Sequence, residues 1–130
     1  MITRYTRKEM GQIWSMENKF RKWLEVEIAV CEAWAELGKI PKDALRQIKQ
    51  KASFDIERID EIEKTVKHDV IAFLTSVAES VGLVSRYIHM GLTSSDVVDT
   101  ALALQIKEAS DLILKDLIKL KEVFKKKAFQ

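Results

Sequence analysis

The chain has 130 residues, of which 47% are hydrophobic and 32% charged, with a net charge of +2. It is long enough to bury a core, too apolar for a disordered tail and too weakly basic for a nucleic-acid partner. Four glycines and one proline leave too few turns for a sandwich or barrel, so the predicted fold class is all-α.

The single cysteine, Cys31, excludes an internal disulfide framework and a multi-thiolate zinc site. It fits a reducing, cytoplasmic setting. There is no signal-peptide pattern and no run of about eighteen apolar residues, so no membrane partner is expected.

Thr6-Arg7-Lys8-Glu9 has the form of a capping box and predicts a short helix from about Arg7 to Trp14. Ser15 offers a second N-cap for a long helix to Leu37, which Gly38 ends in a left-handed C-cap. Pro41 can start the next helix. Asp55 opens a helical run through Ile56, Ile59 and Ile62. Val70 to Val81 is apolar enough to be largely buried, and Gly82 ends it; residues 83–92 read as a connection. Thr93 begins a final helix that continues to about Lys127.

The Ser15–Leu37 helix shows two apolar stripes at 100° per residue, Phe20, Leu24, Ile28, Cys31 and Ala35 on one side and Trp23, Val30, Trp34 and Leu37 on the other. Both sides should therefore be covered, with Cys31 a small buried hydrophobe. In the last helix Leu102, Ile106, Ala109, Ile113, Leu117, Leu120 and Phe124 form one seam. At about 1.5 Å per residue this helix spans roughly 50 Å. A domain of this length has a radius of gyration of only about 14 Å. The helix must overhang its own domain and expose the far half of the seam to partner helices. Lysines 119, 121, 125, 126 and 127 near its end suit a solvated face at a helix C-terminus.

Three segments could carry chemistry. His68-Asp69 lies at a helix boundary, where an imidazole can reach a pocket, although adjacent side chains on a helix do not face each other. Gly91-Leu92-Thr93-Ser94-Ser95-Asp96 joins free backbone N–H groups, hydroxyls and the positive end of a helix, which suits a carboxylate or phosphate. The same residues also suit plain capping, with Thr93 as cap and Asp96 completing the box. Arg4-Tyr5 pairs a guanidinium fork with a phenol and could grip a phosphate, or could be a loose terminus. The two histidines, His68 and His89, do not supply a metal site, and no cofactor is expected.

These segments occur with further matches. Met1-Ile2-Thr3-Arg4-Tyr5, Ile13-Trp14, Trp23-Leu24-Glu25-Val26-Glu27 and Glu32-Ala33-Trp34-Ala35-Glu36-Leu37-Gly38 follow one N-terminal pattern. So do Ala52-Ser53-Phe54-Asp55, Lys67-His68-Asp69-Val70 and the block from His89 to Thr100. With them the chain resembles the adenylosuccinate lyase family of the fumarase/aspartase superfamily, along essentially its whole length. The Gly-Leu-Thr-Ser portion is shared across the superfamily, and the His-Asp-Val segment points to the adenylosuccinate branch.

The resemblance implies a helical N-terminal domain over residues 1–100 and the start of a long central-bundle helix over residues 101–130. It implies β-elimination of fumarate from adenylosuccinate and from the succinyl-carboxamide ribotide of purine synthesis, in a homotetramer whose active sites each draw on three subunits. It places Arg4 and Tyr5 on the phosphate side of the substrate, and Lys67, His68 and Asp69 in a second contact segment, with His68 supporting proton transfer. Thr93 and Ser94 would hold a succinyl carboxylate, and His89 would be a further active-site histidine. The family's principal acid histidine and base serine match nothing in these residues, so the chain alone should be inactive. The competing readings are another superfamily lyase, such as argininosuccinate lyase or fumarase, and a non-catalytic helical interaction module.

Overall fold

Side-chain oxygens start two of the helices where the sequence places them. In the computed structural model, which describes residues 2–129 apart from the Thr3 side chain, six α-helices follow in order. They are α1 Lys8–Ile13, α2 Met16–Glu36, α3 Lys42–Lys51, α4 Ile56–Val66, α5 Asp69–Val81 and α6 Ser94–Ala128. Ser15 Oγ accepts the Asn18 N–H at 3.1 Å, and Asp55 Oδ1 accepts that of Arg58 at 3.0 Å. No strand occurs among the described residues, so the chain is all-α.

Gly38, at φ +71°, ends α2 in a Schellman arrangement. The Lys39 N–H reaches the Trp34 carbonyl at 2.8 Å, and the Gly38 N–H reaches that of Ala35 at 3.0 Å. Two local expectations are corrected. The Thr6 capping box does not form: the Thr6 hydroxyl donates to the Ile2 carbonyl at 2.8 Å, closing the 3-10 turn Thr3–Tyr5, and α1 starts at Lys8 after Arg7. The connection after Gly82 is not wholly irregular, because Gly82–Tyr87 forms a 3-10 helix.

The core is aromatic at its centre. Phe73 of α5 stacks on Phe20 at 5.7 Å between centroids and meets Trp23 edge-on at 5.4 Å; Phe54 closes the cluster at 6.2 Å. Around it Ile40, Ile48, Ile59, Val70 and Val77 are fully buried. Each such side chain contributes about 1.5–3 kcal/mol by leaving water. Trp23 therefore belongs with Phe20 rather than on the far stripe, since three residues advance a helix by only 60° from a full turn. Trp34, about 40° from Phe20 on the helix, is likewise packed against the core and half-buried; Val30 is half-buried and Leu37 exposed.

An apolar 19-residue stretch, Asp69–Tyr87, has the length and composition to cross a membrane. In the fold it breaks at Gly82 (φ +79°), and its first part gives Val70, Phe73, Val77 and Val81 to the core. Thirteen helical residues rise only about 20 Å, short of the roughly 30 Å hydrocarbon thickness.

Helix α6 packs on α2 and α1 through Val97, Ala101, Gln105 and Ala109. The seam stays exposed over its far half, as expected, and its near half does not turn to the core either. Of its members only Ala109 is buried, and Leu102 and Ile106 lie exposed with Ile113, Leu117, Leu120 and Phe124. Three of these four buried residues are Val or Ala, and the large side chains of the seam are left outside.

Phe73→Ala removes the ring on which the aromatic cluster converges. The expected loss is about 3–5 kcal/mol, read as a lowered denaturant midpoint with an unchanged slope.

Candidate functional site

One face of α2 holds the segment that carries His89. Residues 27, 31 and 34 are spaced four and three apart, so they share a face. Glu27 takes the His89 backbone N–H on Oε2 at 2.9 Å and contacts His89 Nδ1 with Oε1 at 2.6 Å. Cys31 Sγ donates to the Tyr87 carbonyl at 3.6 Å, and Trp34 Nε1–H donates to the Met90 carbonyl at 2.8 Å. His89 is held at φ +66°, a left-handed value that costs a non-glycine residue about 1–3 kcal/mol. Gly91, at φ +79°, passes the Trp34 ring so closely that a Cβ there would lie 3.3 Å from it.

Glu27 was not among the sequence candidates, because an acidic residue in a helix reads as surface. It is 1% exposed. Burial raises its pKa, and the bonds from His89 pull the other way. The available signal was its place between Phe20 and Cys31 on the core side of α2.

The turn leads directly into α6. The Asp96 carboxylate accepts the Thr93 N–H at 2.8 Å, so the capping reading of this segment holds. The N–H groups of Ser94 and Ser95 have no acceptor among the described residues and remain open to an anion. Beside this turn lies an open apolar groove of about 830 Å³, lined by Val26, Val30, Trp34, Leu92 and Leu104 among others.

Lys67, His68 and Asp69 form a second group between α4 and α5. Lys67 ends α4 at φ +54°, the second non-glycine residue in the left-handed region. His68 is the N-cap of α5, its Nδ1 accepting the Ile71 N–H at a long 3.4 Å. The imidazole is about half exposed, with Asp69 Oδ1 3.6 Å from Nδ1. Asp69 spends its shorter bond on the Val70 N–H at 2.8 Å, so it orients His68 only loosely.

Arg4 and Tyr5 form the third group. The guanidinium lies 4.7 Å from the Tyr5 ring centroid, a cation–π stack, and both side chains are exposed. Tyr5 shares a hollow with Ile113 and Asp116 of α6, where Arg7 pairs with Asp116. That point is about 30 Å along α6 from Thr93 and Ser94. No hydrogen bond or ion pair among the described residues joins any two of the three groups, and the groove beside Thr93, the hollow at Lys67 and the one at Tyr5 each hold residues of one group. No three His, Cys, Asp or Glu side chains converge among the described residues.

A family model described as "Lyase" matches residues 3–130. The chain belongs to this lyase family. It is 64% identical over 133 aligned residues to the adenylosuccinate lyase of Aquifex aeolicus, an alignment that covers all of this chain and 30% of that protein. It is 56% identical over 128 residues to the adenylosuccinate lyase of Bacillus subtilis, covering 98% of this chain and again 30% of the relative. Among solved structures it resembles the 3-carboxy-cis,cis-muconate lactonizing enzyme of Pseudomonas putida, with a TM-score of 0.78 and 29% identity, over 87% of this chain and 27% of that one. The chain thus spans under a third of the length of the curated relatives it matches.

Within this lyase chain the Cys31 thiol is a silent group. Burial, with Glu27 and Glu32 nearby, pushes it up to about 11 from 9.0. The buried thiol resists ionisation while an unfolded one does not, so this contribution to stability is intact below pH 9.0 and lost as pH rises toward about 11. Cys31→Ala should flatten the fall in denaturant midpoint over that window. Thiol reagents at pH 8 should label native Cys31 only at the rate of unfolding; fast labelling of folded protein contradicts the burial.

Proposed function

We propose that these residues are the N-terminal part of an adenylosuccinate lyase. The observation that carries this reading is the match of the whole chain, at 56–64% identity, to relatives named for that activity. The proposed organisation is a helical unit over residues 1–100 that carries substrate contacts, with residues 101–130 beginning a central bundle. The proposed substrates are adenylosuccinate and the succinyl-carboxamide ribotide, and the proposed setting is the cytoplasm.

The reaction is a β-elimination. A base removes a proton from the succinyl carbon next to a carboxylate, and the electron pair accumulates on that carboxylate as an aci-form. The C–N bond then breaks, its pair stays on nitrogen, an acid protonates that nitrogen, and fumarate leaves. Holding the doubly charged intermediate is the larger electrostatic task. Ser94 and Ser95 N–H groups at the start of α6, with the Thr93 and Ser94 hydroxyls, suit a succinyl carboxylate. Arg4 and Tyr5 suit the phosphate. His68 supports proton transfer at the leaving nitrogen, with Lys67 and Asp69 beside it, and His89 makes a further substrate contact. The principal acid and base come from sequence outside these residues.

The separation of the three groups supports a tetramer whose sites combine different chains. So does the length of α6, with a stripe from Leu102 to Phe124 that stays exposed on one chain.

In the full-length enzyme, His68→Ala should lower adenylosuccinate turnover by about two to four orders of magnitude while the assembly persists in light scattering. Near-normal turnover would make His68 structural. Turnover of argininosuccinate but not adenylosuccinate would move the protein to another branch.

The 130-residue chain should show no turnover and should self-associate as concentration rises in sedimentation. Leu117→Lys with Phe124→Lys should reduce that association. A monomer at every concentration contradicts the role given to the stripe.

A further inference from the structure

The Glu27–His89 pair is more than a loop tie. A lone carboxylate in the middle of a core face is costly, and an apolar residue there would be cheaper in stability. Glu27 has no partner among the described residues other than His89. Tying the loop would take one oxygen on the backbone N–H. The second oxygen is on the ring, at a short 2.6 Å.

That second contact has a chemical consequence. With Glu27 ionised, its carboxylate can only accept, so Nδ1 carries the hydrogen and the free state of the ring is set at the other nitrogen. No hydrogen bond engages Nε2 among the described residues, and the side chain keeps 20% of its surface exposed.

We infer that Glu27 is a positioning residue, which holds the His89 imidazole with Nδ1 as hydrogen donor and keeps Nε2 for the substrate. The substrate half of this inference rests on the lyase reading; the hydrogen assignment does not.

Two measurements test it separately. In a ¹⁵N-histidine-labelled chain only His68 and His89 give ring signals, and His68→Gln assigns them. The expected spectrum has Nδ1 of His89 protonated. In Glu27→Gln, the amide oxygen meets the backbone N–H and the amide NH₂ faces Nδ1, so the hydrogen should move to Nε2. Hydrogen-free Nδ1 in the parent chain, or an unchanged ring in a folded Glu27→Gln, overturns the assignment. Should Glu27→Gln fail to fold, as judged by circular dichroism, the parent spectrum decides.

In the full-length enzyme, Glu27→Gln should lower kcat/KM for adenylosuccinate about 10- to 100-fold. Adding it to His89→Ala should lower kcat/KM no further. Additive losses, or near-normal kcat/KM in Glu27→Gln, overturn the positioning role. A full-length protein with no lyase turnover at all overturns the proposed function instead, and the ring spectrum still judges the pair.

Discussion

A carboxylate buried inside a helical core constrains everything that must pass near it. Glu27 can be dry only if both its oxygens are satisfied, and the groups that satisfy them come from a segment some sixty residues later in the chain. The turn after Gly82 is therefore drawn onto the middle of α2. Cys31 and Trp34, one and two helical turns further on, take the carbonyls of Tyr87 and Met90. His89 makes both contacts from a left-handed backbone, and Gly91 is needed where the chain skirts the Trp34 ring. The start of α6 comes five residues after His89, so the same face of α2 that packs the core also aims the longest helix.

A second, polar contact fixes how α6 lies once aimed. The Lys22 ammonium, almost buried, bridges Glu108 at 2.7 Å and Glu25 at 2.9 Å. Burial presses its pKa down, and the two carboxylates more than offset that, so it is raised. Gln105 Nε2 and Asn18 Nδ2 both donate to the Ile13 carbonyl, at 2.7 and 2.8 Å, which uses the free end of α1 to tie α2 and α6 together. Such partly desolvated pairs add little net stability. They do penalise slipping α6 by one turn, since each shift would leave buried polar groups unpaired.

The helices were legible because their signals are local. Ser15, Gly38 and Asp55 act through residues within four positions, and the structure places each where its chemistry implied. Thr6 misled because a hydroxyl has two local choices, the N–H ahead of it and the carbonyl behind it, and here the carbonyl of Ile2 won. The near half of the α6 seam, Leu102 and Ile106, misled for a different reason, while the far half is exposed as its overhang implied. Periodicity says which residues share a face, not which face a neighbouring helix takes, and α2 took the one with small side chains. The position of Glu27 on the core side of α2 was readable but its reason was not, since that lies in His89, and the left-handed backbone of Lys67 and His89 left no mark in side-chain type. The candidate segments themselves were readable as motifs, and their mutual distance was not.

That distance follows from the stiffness of α6. A continuous helix keeps the Arg4–Tyr5 corner and the Thr93–Ser94 corner apart like two marks on a ruler, and a nucleotide with a succinyl arm is far shorter than the gap. Under the proposed roles one substrate molecule cannot touch both marks on one chain. Each chain would then serve two different catalytic centres, and a lesion at either mark would be felt in a centre that the same chain's other mark never enters.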